Sequence, residues 1–349
     1  MANNMVYNVN ESATQVLAAK QVKDNIFLDL VHKNGYGVTQ QEETNVSTLR
    51  MMKVSPIEDD ARQLGAGVDG AAGTNGGWFN NGAIGTPKVI EYDLNLLYIY
   101  DKPIDIPEVQ EDLVPVNVMD NTTKNIGGRV ATEINASTLA CQLVEKYANA
   151  KKATKWDGEA VLVDANHYAA VLQASTLLDE GDEANGIQMF PFAERQILMR
   201  PSFRQSLMSA SGVLLGGSNY AQSMLAKGAV SPDARKEWGN MYCGELDTIP
   251  CYVVPPAIWN RAGAWVGDST AFNATEAIVC AASATDRGIS TQDYIKIIDS
   301  PDGAGKRLQP KTRWGIKVCY PKGIVPILKK GTAVPSKDLA VFAVGSKAQ

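Results

Sequence analysis

One stretch constrains this chain more than any other: an alternating run from Ile90 to Ile106 that emerges from a glycine-rich segment. Ile90, Tyr92, Leu94, Leu96, Tyr98 and Tyr100 take the even positions, with Glu91, Asp93, Asn95 and Asp101 among the odd ones. Leu97 and Ile99 interrupt the pattern, and the same phase returns at Ile104 and Ile106. Alternation of this kind predicts a pleated strand with one apolar face. Fully extended, it would span roughly 55 Å at about 3.3 Å per residue, whereas common strands run about 3–10 residues. A core of ordinary thickness does not need that length. The ribbon is therefore expected to leave the body of its own subunit and lie across a neighbour, which points to assembly rather than catalysis.

The remaining composition is that of a folded protein. The chain has 349 residues, 45 % apolar and 20 % charged, enough for two or three packing units. No run of about 18 apolar residues occurs, and the N-terminus lacks a basic stretch followed by an apolar one. Neither a membrane span nor a secretory signal is expected, so the N-x-S/T sequons carry no glycosylation meaning. Five cysteines (Cys141, Cys243, Cys251, Cys280, Cys319) show no CxxC spacing and read as reduced, buried thiols. Two histidines, His32 and His167, offer little to a zinc site. The net charge of −5 argues against a generic polyanion binder.

Along the chain, residues 1–44 are polar apart from one helical pattern over Ala13–Lys33 and read as an arm that needs something to pack on. Val46–Val54 has strand character. Gly65–Gly85, rich in glycine, alanine and asparagine, reads as the tip of a β-hairpin whose return strand is the long ribbon. Pro103 and Pro107 limit pairing at its far end.

A long helix follows, of about seven turns, with Asn121, Thr122 or Thr123 as candidate caps and Asn149 near its end. Ile126, Val130 and Ile134, continued near Cys141 and Val144, form one apolar stripe; Leu139, Leu143 and Tyr147 form a second. Arg129, Thr132, Glu133, Gln142 and Lys146 make its polar face. Gly127-Gly128 should loosen or bend it. A strand at EAVLV and a helix over His167–Leu178 come next, then the acidic loop Asp179–Gly186. Beyond Ile197–Met199, short strands are expected at Pro250–Val254 and Ala264–Val266. Asn273–Ala282 fits strand or helix, and Trp314, Ile316, Val318 and Tyr320 alternate as another strand.

No catalytic constellation stands out, and no cofactor is implied. Gly65-Ala66-Gly67-Val68-Asp69-Gly70 matches GxGxxG, but polar residues precede it and AAGTNGG follows. It lacks the strand and helix that aim backbone amides at phosphates. Gly303–Arg307 is a basic glycine turn. The acidic loop lacks EF-hand spacing and reads as an exposed face. His167 reads as a structural hydrogen-bonding residue.

The order of these parts resembles the major capsid proteins of tailed bacteriophages, the HK97-like fold. LGAGVDG…NGGWFNNGAIG, then TPKVIEYDLNLLYIYDKPIDIPEVQEDLVPVN, then NIGGRVATEINASTLACQLVEKY looks like that family's E-loop, return strand and spine helix. ILMRPSFRQSL and LDTIPCYVVPP are similar to its axial-domain elements, and RWGIKVCYPKGI to its last peripheral strands.

The resemblance implies an α+β fold divided into an N-terminal arm (1–44), an E-loop hairpin (45–106) and a peripheral domain with the spine helix (107–196). An axial domain (197–282), peripheral return strands (283–325) and a C-terminal segment (326–349) follow. It implies a non-enzymatic shell subunit, assembled in the host cytoplasm into hexamers and pentamers of the virion around double-stranded DNA held by non-specific contacts. Portal, scaffolding and decoration proteins would be partners, and no membrane is involved. Trp78, Phe79, Tyr92, Leu94, Leu96 and Tyr98 would make the intersubunit contacts. No room remains before the arm for a long scaffolding segment, so a separate scaffold protein is expected. Of the hairpin lysines Lys53, Lys88 and Lys102, none lies at the tip, so no isopeptide cross-link is expected. An encapsulin-like compartment shares the fold, and a soluble enzyme with a β-arm dimer interface is the alternative of a different class.

Overall fold

The computed structural model describes residues 14–22, 24–25, 48–54, 89–100, 104–107, 118–152, 156, 160–163, 166–185, 187–209, 241–264, 266, 269–289, 295–299 and 305–335. Among them, two six-stranded sheets share one long helix. No helix of the described residues is long and apolar enough to cross a membrane.

The first sheet is built around β11 (Gly305–Val318), a 14-residue strand. Its first half is flanked by β3 (Ile104–Pro107) and β10 (Ile295–Asp299). Its second half is flanked by β2 (Val89–Tyr100) and β9 (Thr285–Ile289). All four pair antiparallel with it, and β1 (Thr48–Val54) adds to the outer edge of β2. The expected hairpin is present: β1 and β2 pair from Thr48↔Asn95 to Val54↔Val89. Its Gly65–Gly85 tip lies outside the described residues.

The long ribbon is not one strand. Tyr100 stands opposite Lys311, and Ile104 opposite Leu308. Four steps from 100 to 104 thus answer three steps from 311 to 308, which puts one extra residue in the connection that contains Pro103. Pro310, lacking an amide hydrogen, falls in the matching gap of β11 on that side. A one-residue offset exchanges the two faces of a strand. Even positions of β2 therefore pair with odd positions of β11, while even positions of β3 pair with even ones. The buried positions of β11 are Leu308, Trp314 and Val318, all even. The continuous even phase read from Ile90 to Ile106 is thus two phases, and Leu97, an interruption in the alternation, is the ladder partner of buried Trp314.

The second sheet runs β4 (Val161–Val163), β12 (Ile324–Lys329), β8 (Thr275–Ala281), β5 (Arg195–Met199), β7 (Ile249–Val253), β6 (Tyr242–Leu246). Its central strands are apolar and buried end to end, as strands covered on both faces must be.

The helices are α1 (Val118–Lys152), α2 (His167–Asp179), α3 (Pro201–Ser209), α4 (Pro256–Gly263) and α5 (Ser269–Ala274). Asn166 caps α2 by accepting from the Tyr168 and Ala169 amides at 2.9 and 3.2 Å. Asn273–Ala282 proves to be both candidates in turn, the end of α5 running directly into β8. The strand expected at 264–266 does not form, because Ala264 closes α4 with its amide on Asn260 O.

Helix α1 has 35 residues, about 52 Å at 1.5 Å per residue. It starts before all three cap candidates and outruns the expected seven turns. Every residue from Ile134 to Ala140 is buried. The polar face drawn from the sequence is therefore not a solvent face in its second half, where Gln142 and Lys146 have no exposed surface. Gly127 does not break the helix. A Cβ there would lie 2.9 Å from Gln21 Cβ and 3.1 Å from Ala18 O, so the glycine lets helical residues 14–22 pack against α1. The arm's partner is its own chain: Thr14, Ala18 and Val22 are buried, and Asn135 Nδ2 donates to Asn25 O at 2.8 Å.

Candidate intersubunit interface

Residues 89–95 of β2 pair with β1 alone, and residues 96–100 pair with β11 alone. The first half is thus a two-stranded ribbon and the second half its root in the sheet. Seven residues of β1 paired over their full length give a ribbon of roughly 23 Å at about 3.3 Å per residue, before any tip is added. This layout divides the six expected contact residues. Tyr92 and Leu94 stand opposite Met51 and Leu49 in the ribbon. Leu96 and Tyr98 stand opposite Gly315 and Arg313 at the root. Trp78 and Phe79 lie outside the described residues.

A two-stranded ribbon is marginal alone in water, so its root must be held. Trp314, fully buried, donates its indole N–H to Ser137 Oγ at 2.9 Å. Ser137 in turn donates to Ile134 O at 2.9 Å, so its hydroxyl is used in both directions. Gln142 Nε2 donates to Thr285 Oγ1, the first residue of β9, at 3.1 Å. Lys146 Nζ donates to Pro321 O at 3.1 Å. Ser137, Gln142 and Lys146, spaced five and then four apart, form one row on α1 that ties down the chain on both sides of β11. Polar groups this deep are tolerated because each reaches a named partner. Gln142 and Lys146 had been assigned to a solvated face, and Ser137 had drawn no notice. The available signal was the pair of adjacent apolar stripes, which together wrap too much of the helix for one buried face.

The other candidates resolve into structure. Gly305, Lys306 and Arg307 belong to β11, paired with β3 on one side, and Lys306 and Arg307 with β10 on the other. They are ladder residues, not a phosphate-cradling turn. The acidic loop turns part of its charge inward. Asp179 pairs with Arg195 at 2.5 Å, and Asp182, 3 % exposed, sits 3.4 Å from Lys322 Nζ and accepts from Asn185 Nδ2 at 2.6 Å. Arg195 is buried yet saturated, donating also to Phe190 O and to Ser175 Oγ at 2.7 and 2.8 Å, with Phe192 stacked on its guanidinium.

His167 opens α2, 3.7 Å from Glu276 and with its ring against Phe203. Tyr147 bonds Ala271 O and the Thr275 hydroxyl, and burial pushes its phenol far up. Burial likewise raises the Cys243 thiol to about 11 and those of Cys141 and Cys280 to about 12, which removes nucleophilic character. Among the described residues, no group of three or more His, Cys, Asp and Glu side chains could hold a metal ion. Gly65–Gly70 and His32 lie outside the described residues.

No protein-family model and no curated protein sequence matches this chain. Solved structures do. A chain of Microbacterium phage Oxtober96 matches with a TM-score of 0.51 and 12 % identity, over 82 % of this chain and 88 % of that one. A chain of Mycobacterium phage Che8 matches with a TM-score of 0.46 and 14 % identity over 86 % and 90 %. A chain from the asymmetric unit of the bacteriophage PhiM1 mature capsid matches with a TM-score of 0.45 and 12 % identity over 82 % and 83 %. The Oxtober96 likeness carries the fold: the α+β, HK97-like architecture expected from the sequence is the architecture found.

Proposed function

We propose that this protein is the subunit of a phage capsid, self-assembling into a closed icosahedral shell. One observation carries the reading: in a fold shared with a phage chain, the β1–β2 ribbon extends beyond the sheet that roots it, with residues 89–95 pairing to β1 alone. Such a ribbon presents open backbone edges, which proteins cover or keep from pairing. Closed symmetry offers a covering surface on a neighbouring copy.

In this reading the ribbon and its tip, with Trp78, Phe79, Tyr92, Leu94, Leu96 and Tyr98, make the contacts between copies within hexamers and pentamers. The two sheets supply the division of labour. The sheet around β11, with α1, serves as the peripheral body, and β5, β6, β7 and β8 belong to the axial part. Packaged double-stranded DNA, a portal, a scaffolding protein and a decoration protein are the further partners, with assembly in the host cytoplasm. The role is structural rather than catalytic.

Negative-stain electron microscopy of the purified protein at high concentration tests this reading. Closed particles or rings are the expected result. A sedimentation profile holding only monomer across salt and protein concentrations overturns it.

A further inference from the structure

Behind the anchor row, Gln142 of α1 and Gln196 of β5 approach one thiol from different elements. Gln196 is the ladder partner of Cys280, and its Nε2 lies 3.5 Å from Cys280 Sγ. The Gln142 amide reaches the same thiol and also donates to Thr285 Oγ1 at 3.1 Å. Gln142, Gln196, Cys280 and Thr285 have no exposed surface. Yet Gln142 Oε1 and Gln196 Oε1 lack any hydrogen-bond partner.

Exchanging oxygen and nitrogen in either amide does not remove the deficit. The oxygen would then take the existing contact, and the NH₂ group would be left unpartnered instead. Cys280 cannot resolve it either, since one S–H proton serves at most one amide oxygen. Native interiors rarely leave such groups bare; a buried water with about three hydrogen bonds is the common solution.

We propose that one internal water molecule sits between Gln142, Gln196 and Cys280. Its two protons go to Gln142 Oε1 and Gln196 Oε1, and its oxygen accepts the Cys280 S–H. The thiol sulfur remains free to accept from the amide nitrogens. The site holds two unpartnered acceptors and one weak donor, all uncharged, which suits water and not a cation. The water joins α1 to the β5–β8 pair at the level of the Gln142–Thr285 bond.

A density map of the full-length protein that resolves ordered waters tests this directly. A peak within about 3 Å of both amide oxygens is expected. A map with no peak there, or with the two amides bonded to each other, overturns the proposal. Melting of Gln142→Met, Gln196→Met and the double variant gives an independent reading. Each single change should lower the melting temperature, and the double variant should melt no lower than the worse single, because the first change already releases the water. A single variant that melts higher than the parent marks a dry, unpaired amide and overturns the proposal, as do shifts that simply add.

Discussion

The indole N–H of Trp314 and the hydroxyl of Ser137 meet at 2.9 Å between β11 and α1. Trp314 is also the ladder partner of Leu97 in β2 and of Ile289 in β9. One buried side chain therefore ties the long helix to the strand that roots the hairpin. Trp314→Phe keeps most of the ring and removes the donor, while Ser137 keeps its bond to Ile134 O. The expected loss is about 1 kcal/mol. Trp314→Ala empties the site and should cost about 3–5 kcal/mol. Denaturant unfolding of the two variants checks the ranking; equal losses would show that the indole N–H and ring volume are not separable here.

Gly127 and Gly128 are neighbours in sequence with opposite constraints. A Cβ at Gly127 collides with Gln21 and Ala18, and one at Gly128 meets nothing within 4 Å. Gly128→Ala should stabilise by about 0.5–1 kcal/mol through helix propensity. Gly127→Ala should push the 14–22 segment off α1 and expose it to limited proteolysis. Identical digestion patterns for parent and Gly127→Ala would refute the docking of that segment.

Ile134 is fully buried, whereas its neighbour Glu133 is paired with Arg261 at 2.7 Å, where the arginine is half-exposed. Ile134→Asp places an unpaired charge among apolar groups and should cost about 4 kcal/mol or more. Glu133→Lys breaks a partly solvated ion pair and should cost within about 1 kcal/mol. Thermal melts of both variants read the difference directly.

Alkaline pH should destabilise the fold through its thiols. Burial raises Cys243 to about 11 and Cys280 to about 12 from an ordinary 9.0, and Cys251 is pushed up as well. The unfolded chain ionises these thiols first, so their contribution is complete below about pH 9 and is lost as pH rises toward 11–12. Above pH 9 each such thiol steepens the fall by about 1.4 kcal/mol per pH unit. Cys280→Ala should flatten the stability–pH curve in that window, while an unchanged slope would mean that the thiol does not set it.

Removing Gly65–Gly85 should spare the body and block particle formation, because β1 and β2 remain paired and rooted without it. Circular dichroism together with electron microscopy checks this. Outright unfolding of the deletion variant would make the segment part of the core.

Much of this protein was legible from local pattern. The β1–β2 hairpin, the long helix, α2 and the strand around Trp314 each follow from periodicity carried within one segment. The chain also reveals its HK97-like order of parts through the succession of glycine tip, alternating strand and long helix.

What only the tertiary structure decided is which neighbour each face meets. The alternation from Ile90 to Ile106 holds one numerical phase, yet the extra residue between Tyr100 and Ile104 is visible only in the pairing with β11, because register belongs to two strands and not to one. Gln142 and Lys146 look solvated on a helical projection, since a polar side chain does not announce whether its hydrogen-bond partner is water or Thr285 and Pro321. Gly127 reads as a weak point until residues 14–22 lie against it. Local propensity is a property of neighbours in sequence; burial and register depend on contacts that loop closure brings from more than a hundred residues away.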